Sequence, residues 1–293
     1  NPSPPRSPRP SNAGLRREMT HSNPETRSAV DVLIAGGGIS ALIAAAEIAA
    51  KGRRVAIYER GPREWLGGQC RDAFGGIFLV GSPEQRRVGI RDSFDLAWAD
   101  WQGYAEFEPE DIHQIAWARK YIERCIPDVR EWLTAQGLRF VPVANWAERA
   151  EHGRGNRVPR FHLLWGCGPG LVTAALRGIR QFEGGRIDLH CDHRVDELII
   201  EGGAVTGVRG QGPVGPFEAR AEHIVIAGGG RTGNLAKVRE SWPRDAWGEP
   251  PQDLLAGVWP NLDGRLHDAA AESGASLTHL ENMWVYAAGV AHW

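Results

Sequence analysis

Asp31-Val32-Leu33-Ile34-Ala35-Gly36-Gly37-Gly38-Ile39-Ser40-Ala41 is the stretch that decides the fold. Val30 to Ala35 is a short apolar run, as in a parallel strand buried on both faces. The residues after it fit G-x-G-x-x-[GA]. Gly36 permits a tight turn out of the strand, Gly38 lets a pyrophosphate approach the backbone, and Ala41 lets a helix pack close to the sheet. That helix is predicted from about Ser40 to Lys51, with Gly52 just past its end. Val55 to Tyr58 reads as the next strand, closed by Glu59.

Strand, glycine turn, helix, strand and carboxylate, in that order, are what a dinucleotide needs. The free N–H groups of Ile39 and Ser40 lie at the positive end of the helix dipole and suit a pyrophosphate. Glu59 is spaced to accept hydrogen bonds from the adenosine ribose. The plain alternative is a glycine-rich loop in an ordinary α/β sheet, with Glu59 a surface carboxylate. The next segment separates FAD from a nicotinamide cofactor. Leu66-Gly67-Gly68-Gln69-Cys70 and Ala73-Phe74-Gly75-Gly76 place two glycine pairs close together. Backbone that hugs a long, extended ligand calls for such pairs, and FAD has that shape.

Outward from this unit, the 293 residues allow one large or two modest domains. A hydrophobic share of 42%, a charged share of 24% and a net charge of −2 describe a globular chain with no field for nucleic acid. Cys70, Cys125, Cys167 and Cys191 have no CxxC spacing, so neither a zinc site nor a disulfide framework is expected. Free thiols suit a reducing, cytoplasmic setting. The Ala41 to Ala50 run contains Glu47 and is too short to cross a bilayer. Residues 1–28 carry Pro2, Pro4, Pro5, Pro8 and Pro10 and read as a disordered tail, whose first 18 residues could equally be upstream sequence. The expected division is a Rossmann unit over 29–89, a mostly helical insertion over 90–184, the FAD-binding domain continued over 185–275, and the start of a cap from 276. Trp98, Trp101, Trp117 and Trp132 are expected to pack the insertion. Strands are expected at Ile187–His190, Val195–Glu201, Ala204–Arg209 and His223–Ala227, with Gly202-Gly203 as a hairpin turn. The fold class is therefore α/β: a Rossmann-like parallel sheet with an added β-meander and a helical insertion.

The sequence resembles the flavoprotein dehydrogenase/reductase superfamily, which includes fumarate reductases, succinate dehydrogenase flavoprotein subunits and 3-ketosteroid dehydrogenases. The resemblance covers about residues 30–80 and 185–275. It is carried by the 31–38 stretch, Glu59, the glycine pairs at 67–68 and 75–76, Ile224-Val225-Ile226-Ala227-Gly228-Gly229, and Asp263-Gly264 with the helix to Gly274. Phe78 to Arg87 is similar to a bacterial subgroup of FAD-binding dehydrogenases near the ketosteroid branch. The resemblance implies that Gly36, Gly38 and Ser40 meet the pyrophosphate and Glu59 the ribose. Gly67, Gly68, Gln69, Cys70, Gly75 and Gly76 then line the flavin side. Val195 offers backbone to the adenine, Ala227 and Gly228 cover the adenosine end, and Asp263 touches the cofactor. The family's T-G-D-G step reads Asn261-Leu262-Asp263-Gly264 here.

Two departures carry information. Covalent members have His where this chain has Gln69, which implies non-covalent FAD. Dicarboxylate enzymes have His-Pro-Thr where this chain has Met283-Trp284-Val285-Tyr286, which favours an apolar substrate. Family members also run further, so the chain reads as the N-terminal half of a longer enzyme with its catalytic groups beyond Trp293.

The implied function is an FAD-dependent dehydrogenase or reductase acting on a CH–CH bond of an apolar ketone or steroid-like molecule. It would have a small-molecule substrate and an electron acceptor, with no nucleic acid or membrane insertion. A flavin monooxygenase or amine oxidase shares the first motif, and a non-catalytic FAD-binding fragment is the third reading. His190, Cys191 and His193 could hold a metal, but packing is favoured for want of a fourth ligand. Cys70 as a redox thiol, Tyr286 as a proton donor, and His162 and Trp165 beside the site are each weighed against plain packing, which is preferred.

Overall fold

The computed structural model describes residues 30–141 and 155–284. The expected N-terminal tail and Tyr286 lie outside them. Strand β1 (Val30–Ala35), helix α1 (Ile39–Ala50) and strand β2 (Val55–Tyr58) form the expected unit, with β1 and β2 parallel and Leu33 opposite Ala56. Five of the six β1 residues, Val30 and Val32 to Ala35, are buried aliphatics or alanine, so the strand gains from cover on both faces.

Strand β5 (Ile187–His190) adds in parallel to the outer edge of β2. On the other side of β1 lies β8 (Gly215–Ile226), which pairs with β7 (Ala204–Gly212), itself paired with β6 (Arg194–Glu201). The sheet order is β5-β2-β1-β8-β7-β6. The sequence marks only His223–Ala227 as a buried strand. In fact twelve residues form one strand, parallel to β1 along its later part and antiparallel to β7 along its earlier part. The meander is thus continuous with the parallel sheet.

Two layers cover that sheet. On one face, α1 packs against α6 (Cys167–Arg180), where Ala45, Ala46, Ala175 and Ile179 join Ile34, Ile57 and Ile187 in one core. Gly178 faces the Ala46 methyl, so the two helices approach closely. On the other face, Leu33, Ala35, Ala56 and Tyr58 pack against Val195, Val208 and Ala219 of the meander. Helix α6 falls within the expected 90–184 insertion span, yet it shares the core of the dinucleotide unit.

Between the expected Rossmann span and the insertion, β3 (Gly76–Phe78) pairs with β4 (Phe161–Leu163), a short antiparallel pair that no periodicity signals. Helices α2 (Pro83–Arg87), α3 (Phe94–Ala105), α4 (Ile112–Arg124) and α5 (Glu131–Ala135) surround it, with a π-helical turn over Cys125–Arg130 between the last two. Pro127 lies in that turn and has no N–H to give an ordinary helical bond. Trp98 and Trp101 pack around Leu79, Ala97 and Ile122 as expected. Trp132 donates its indole N–H to Glu47 at 2.7 Å, tying α5 to α1. Trp117 differs from expectation: it points to solvent at 69% exposure, on the polar side of α4.

A buried ion network adds to the apolar contacts of the insertion. The Arg160 guanidinium is fully buried and forks onto both Asp92 oxygens at 2.7 and 2.8 Å. It also donates to Asp100 at 2.7 Å and Asn156 at 2.8 Å. Burial pushes the Asp100 carboxyl up, but the Arg157 N–H and the two guanidinium groups outweigh it and hold it below its ordinary value. His162, a candidate site residue in the sequence, is buried beside this network. Its ring nitrogens meet Ser82 Oγ at 2.7 Å and the Arg160 carbonyl at 2.8 Å, and burial lowers its pKa. Its role is packing. Trp165 is 74% exposed.

Candidate FAD-binding cleft

A cleft of about 360 Å³ opens at the C-terminal ends of β1, β2 and β8. It is lined by Gly36, Gly38, Ile39, Ser40, Glu59, Gly67, Gly68, Gln69, Cys70, Val195, Ala227, Gly228 and Asp263. Thirteen of the sixteen residues singled out in the sequence thus come together from separate parts of the chain. Strand ends at a crossover point are where open α/β sheets bind ligands.

The first turn is shaped by contact. Gly36 has φ +112°, and a Cβ there would stand 2.3 Å from the Ala227 carbonyl oxygen. Glycine at that position is therefore required by the protein itself. Gly38 is different. Its φ is −68°, which any residue adopts, and a Cβ would find nothing nearer than Ala227 O at 3.9 Å. Protein atoms do not demand glycine at Gly38, and the space before it belongs to the cleft. Gly38 is also the N-cap of α1. No side chain caps that end, and its first turn holds no acidic residue. An uncapped helix start with open space before it suits a diphosphate. These residues fit FAD.

Glu59 is held in advance. It is 9% exposed, accepts the Gly37 N–H at 2.6 Å on one oxygen and the Gly61 N–H at 2.8 Å on the other. Each carboxylate oxygen keeps a further lone pair for a ribose hydroxyl. Gly37, the variable position of the motif, is a site-building residue that the pattern hides: a Cβ there would stand 2.9 Å from Glu59 Oε2 and 2.7 Å from Leu66. Glu59→Ala is expected to weaken FAD binding by about 1–3 kcal/mol through loss of charge-assisted hydrogen bonds. Titration of the apoprotein with FAD checks this; unchanged affinity would remove Glu59 from the site.

On the flavin side, Gly67 donates its N–H to the Gly37 carbonyl at 2.8 Å, which brings the glycine pair against the first turn. The Gln69 side chain does not reach into the cleft alone. Its Oε1 accepts the Trp259 N–H at 2.8 Å, docking the 258–264 loop. Cys70 lines the wall with its thiol directed at the Gly168 carbonyl at 3.8 Å, and burial raises its pKa, which disfavours the reactive thiolate.

Three expected residues stand elsewhere. Ala41 is fully buried on the core-facing side of α1, the close-packing position its motif implies. Gly75 and Gly76 do not line the cleft. A Cβ on Gly75 would strike the Cys167 backbone at 2.6 Å, and one on Gly76 the Phe161 ring at 1.9 Å. Their lack of side chains serves the β3–β4 and α6 packing.

At the adenosine end, Val195 borders a register shift between Val195 and Glu197 in the β6–β7 pair. The extra residue, Asp196, reaches Arg265 at 3.1 Å, at the start of helix α9 (Arg265–Glu272). Arg60 and Asp263, joined at 2.7 Å, close the same end. His190 and His193 pack about the Tyr58 ring at 4.5 and 5.9 Å between centroids, and Phe217 stacks on it at 5.0 Å. They form an aromatic cluster behind the cleft.

The FAD binding domain family matches residues 31–292. A KsdD-like steroid dehydrogenase of Mycobacterium tuberculosis is 43% identical over 282 residues, which cover 90% of this chain and 49% of that protein. One from Mycolicibacterium smegmatis is 41% identical, covering 90% and 51%. The chain thus spans about half the length of the curated relatives it matches. Among solved structures, a 3-ketosteroid-Δ4-(5α)-dehydrogenase from Rhodococcus jostii, in complex with 4-androstene-3,17-dione, overlays with a TM-score of 0.73 at 22% identity, over 90% of this chain and 57% of that one. The cleft, the strand order and these matches agree: the chain belongs to the FAD binding domain family.

Proposed function

We propose that this chain is the cofactor-holding part of an FAD-dependent dehydrogenase or reductase acting on a CH–CH bond of an apolar, steroid-like ketone. The observation that carries the reading is one cleft in which the open end of α1, the pre-held Glu59 carboxylate and the Gly67–Cys70 wall meet. FAD, when bound, supplies hydride transfer. The chain's own groups bind and orient it: α1 takes the diphosphate, Glu59 the ribose, and the Gly67–Gly68 backbone the approach to the ring. The 43% identity to a KsdD-like steroid dehydrogenase supports the substrate class. So does the run Met283-Trp284, apolar where dicarboxylate enzymes place a polar step. A cytoplasmic location is part of the reading; among the described residues no helix is long and apolar enough to cross a membrane.

Anaerobic mixing of the complete gene product with a saturated 3-ketosteroid tests the substrate. Bleaching of the flavin absorbance is the expected result. Reduced flavin that fumarate reoxidises, with no response to steroid, would overturn it. Gln69 at the position of the linking His implies that FAD is held without a covalent bond. Acid denaturation is then expected to leave free flavin in the supernatant, whereas yellow colour sedimenting with the chain would show a link.

A further inference from the structure

We propose that the side-chain carboxamide of Asn261 is a direct FAD contact, accepting a hydrogen bond from a sugar hydroxyl of the cofactor. The inference rests on the cofactor alone and is independent of the substrate reading.

Asp263 is already engaged. One of its oxygens accepts two bonds from Arg60, at 3.0 and 2.7 Å, and the other accepts the Arg265 N–H at 3.1 Å. Asn261 is fixed from both sides of the cleft. Its main-chain carbonyl accepts from Arg60 at 2.7 Å, next to the ribose carboxylate Glu59. Two residues earlier, Trp259 is pinned on the flavin side by Gln69 and, through its indole N–H, by Asp72. Asn261 therefore stands over the middle of the cleft and lines it. Its Oδ1 is buried and, among the described residues, is the buried side-chain oxygen or nitrogen without a hydrogen-bond partner. An acceptor left in that state is costly, and native structures retain few. A ligand donor arriving through the cleft completes it. FAD carries hydroxyl donors on two parts, the ribityl chain and the adenosine ribose.

Asn261→Leu, with Asn261→Ala as a second variant, tests the assignment by two readouts on the 293-residue chain. Flavin-fluorescence titration is expected to show FAD affinity reduced about tenfold. Thermal melting of the apoprotein is expected to show no loss of stability, because the substitution removes an unpaired acceptor. Affinity within twofold of wild type, or an apoprotein that melts lower in both variants, overturns the proposal. ADP, which has the ribose and diphosphate but no ribityl chain, locates the donor. Equal loss for ADP and FAD assigns it to the ribose; loss for FAD alone assigns it to the ribityl chain.

Discussion

Gly38→Asp yields a folded protein without flavin. The backbone at Gly38 already has an ordinary conformation, and the new Cβ meets nothing within 3.9 Å, so the fold accepts the side chain. Aspartate is among the best N-cap residues, and position 38 is the N-cap of α1. Its carboxylate folds onto the free N–H groups and stabilises the apoprotein by a few tenths of a kcal/mol relative to glycine. Those same N–H groups are what the diphosphate needs, and a fixed anion now occupies and repels its place. Visible absorbance and a melting curve check both halves. A variant that melts higher and is colourless is the expected outcome; normal yellow protein would refute the placement of the diphosphate. Gly36→Ala makes a useful contrast. There the added methyl meets the Ala227 carbonyl at a forbidden distance, so flavin is lost together with the fold.

Arg160→Met is expected to destabilise the protein by about 3–5 kcal/mol, because it strips buried Asp92 of its guanidinium and Asp100 of one of two. Urea unfolding measures the loss. The folded fraction should keep its flavin affinity, since neither Arg160, Asp92 nor Asp100 lines the cleft. The pH dependence should also weaken. In the wild type the Asp100 pKa is depressed, so its contribution is present above the unfolded carboxylate value and is lost as pH falls through the folded one. In the variant Asp100 keeps the Arg157 N–H and guanidinium but loses Arg160, so its pKa is depressed less. The deficit therefore narrows as pH falls. A variant whose deficit grows on acidification would contradict this account of the network.

Legibility from sequence followed the kind of signal each part carries. The expected β1 and β2 match the observed strands residue for residue, and α1 is displaced by a single position, because apolar runs and glycine spacing are local signals. The same spacing found Gly36, Gly38 and Glu59. The β3–β4 pair escaped notice because three-residue strands carry no alternation, and their partners lie far apart in sequence. Gly75 and Gly76 were misplaced for a related reason. A glycine records that something is close, but sequence does not say whether ligand or protein fills the space. The Arg160 network was invisible because ion pairs have no period. Trp117 shows the limit of composition: a large aromatic on a helix is exposed or buried according to which stripe it occupies.

Strand β8 sets a condition on synthesis. Leu33 acquires its neighbour Ile224 only after 224 − 33 = 191 further residues have been made. At roughly 5–20 residues per second, β1 and β2 wait on the order of ten seconds with one apolar edge unsatisfied. An edge of that kind recruits other strands. A nascent chain stalled before residue 215 would therefore be a target for chaperones, and ribosome pausing in the insertion would reduce the yield of soluble protein without altering a single contact in the finished molecule.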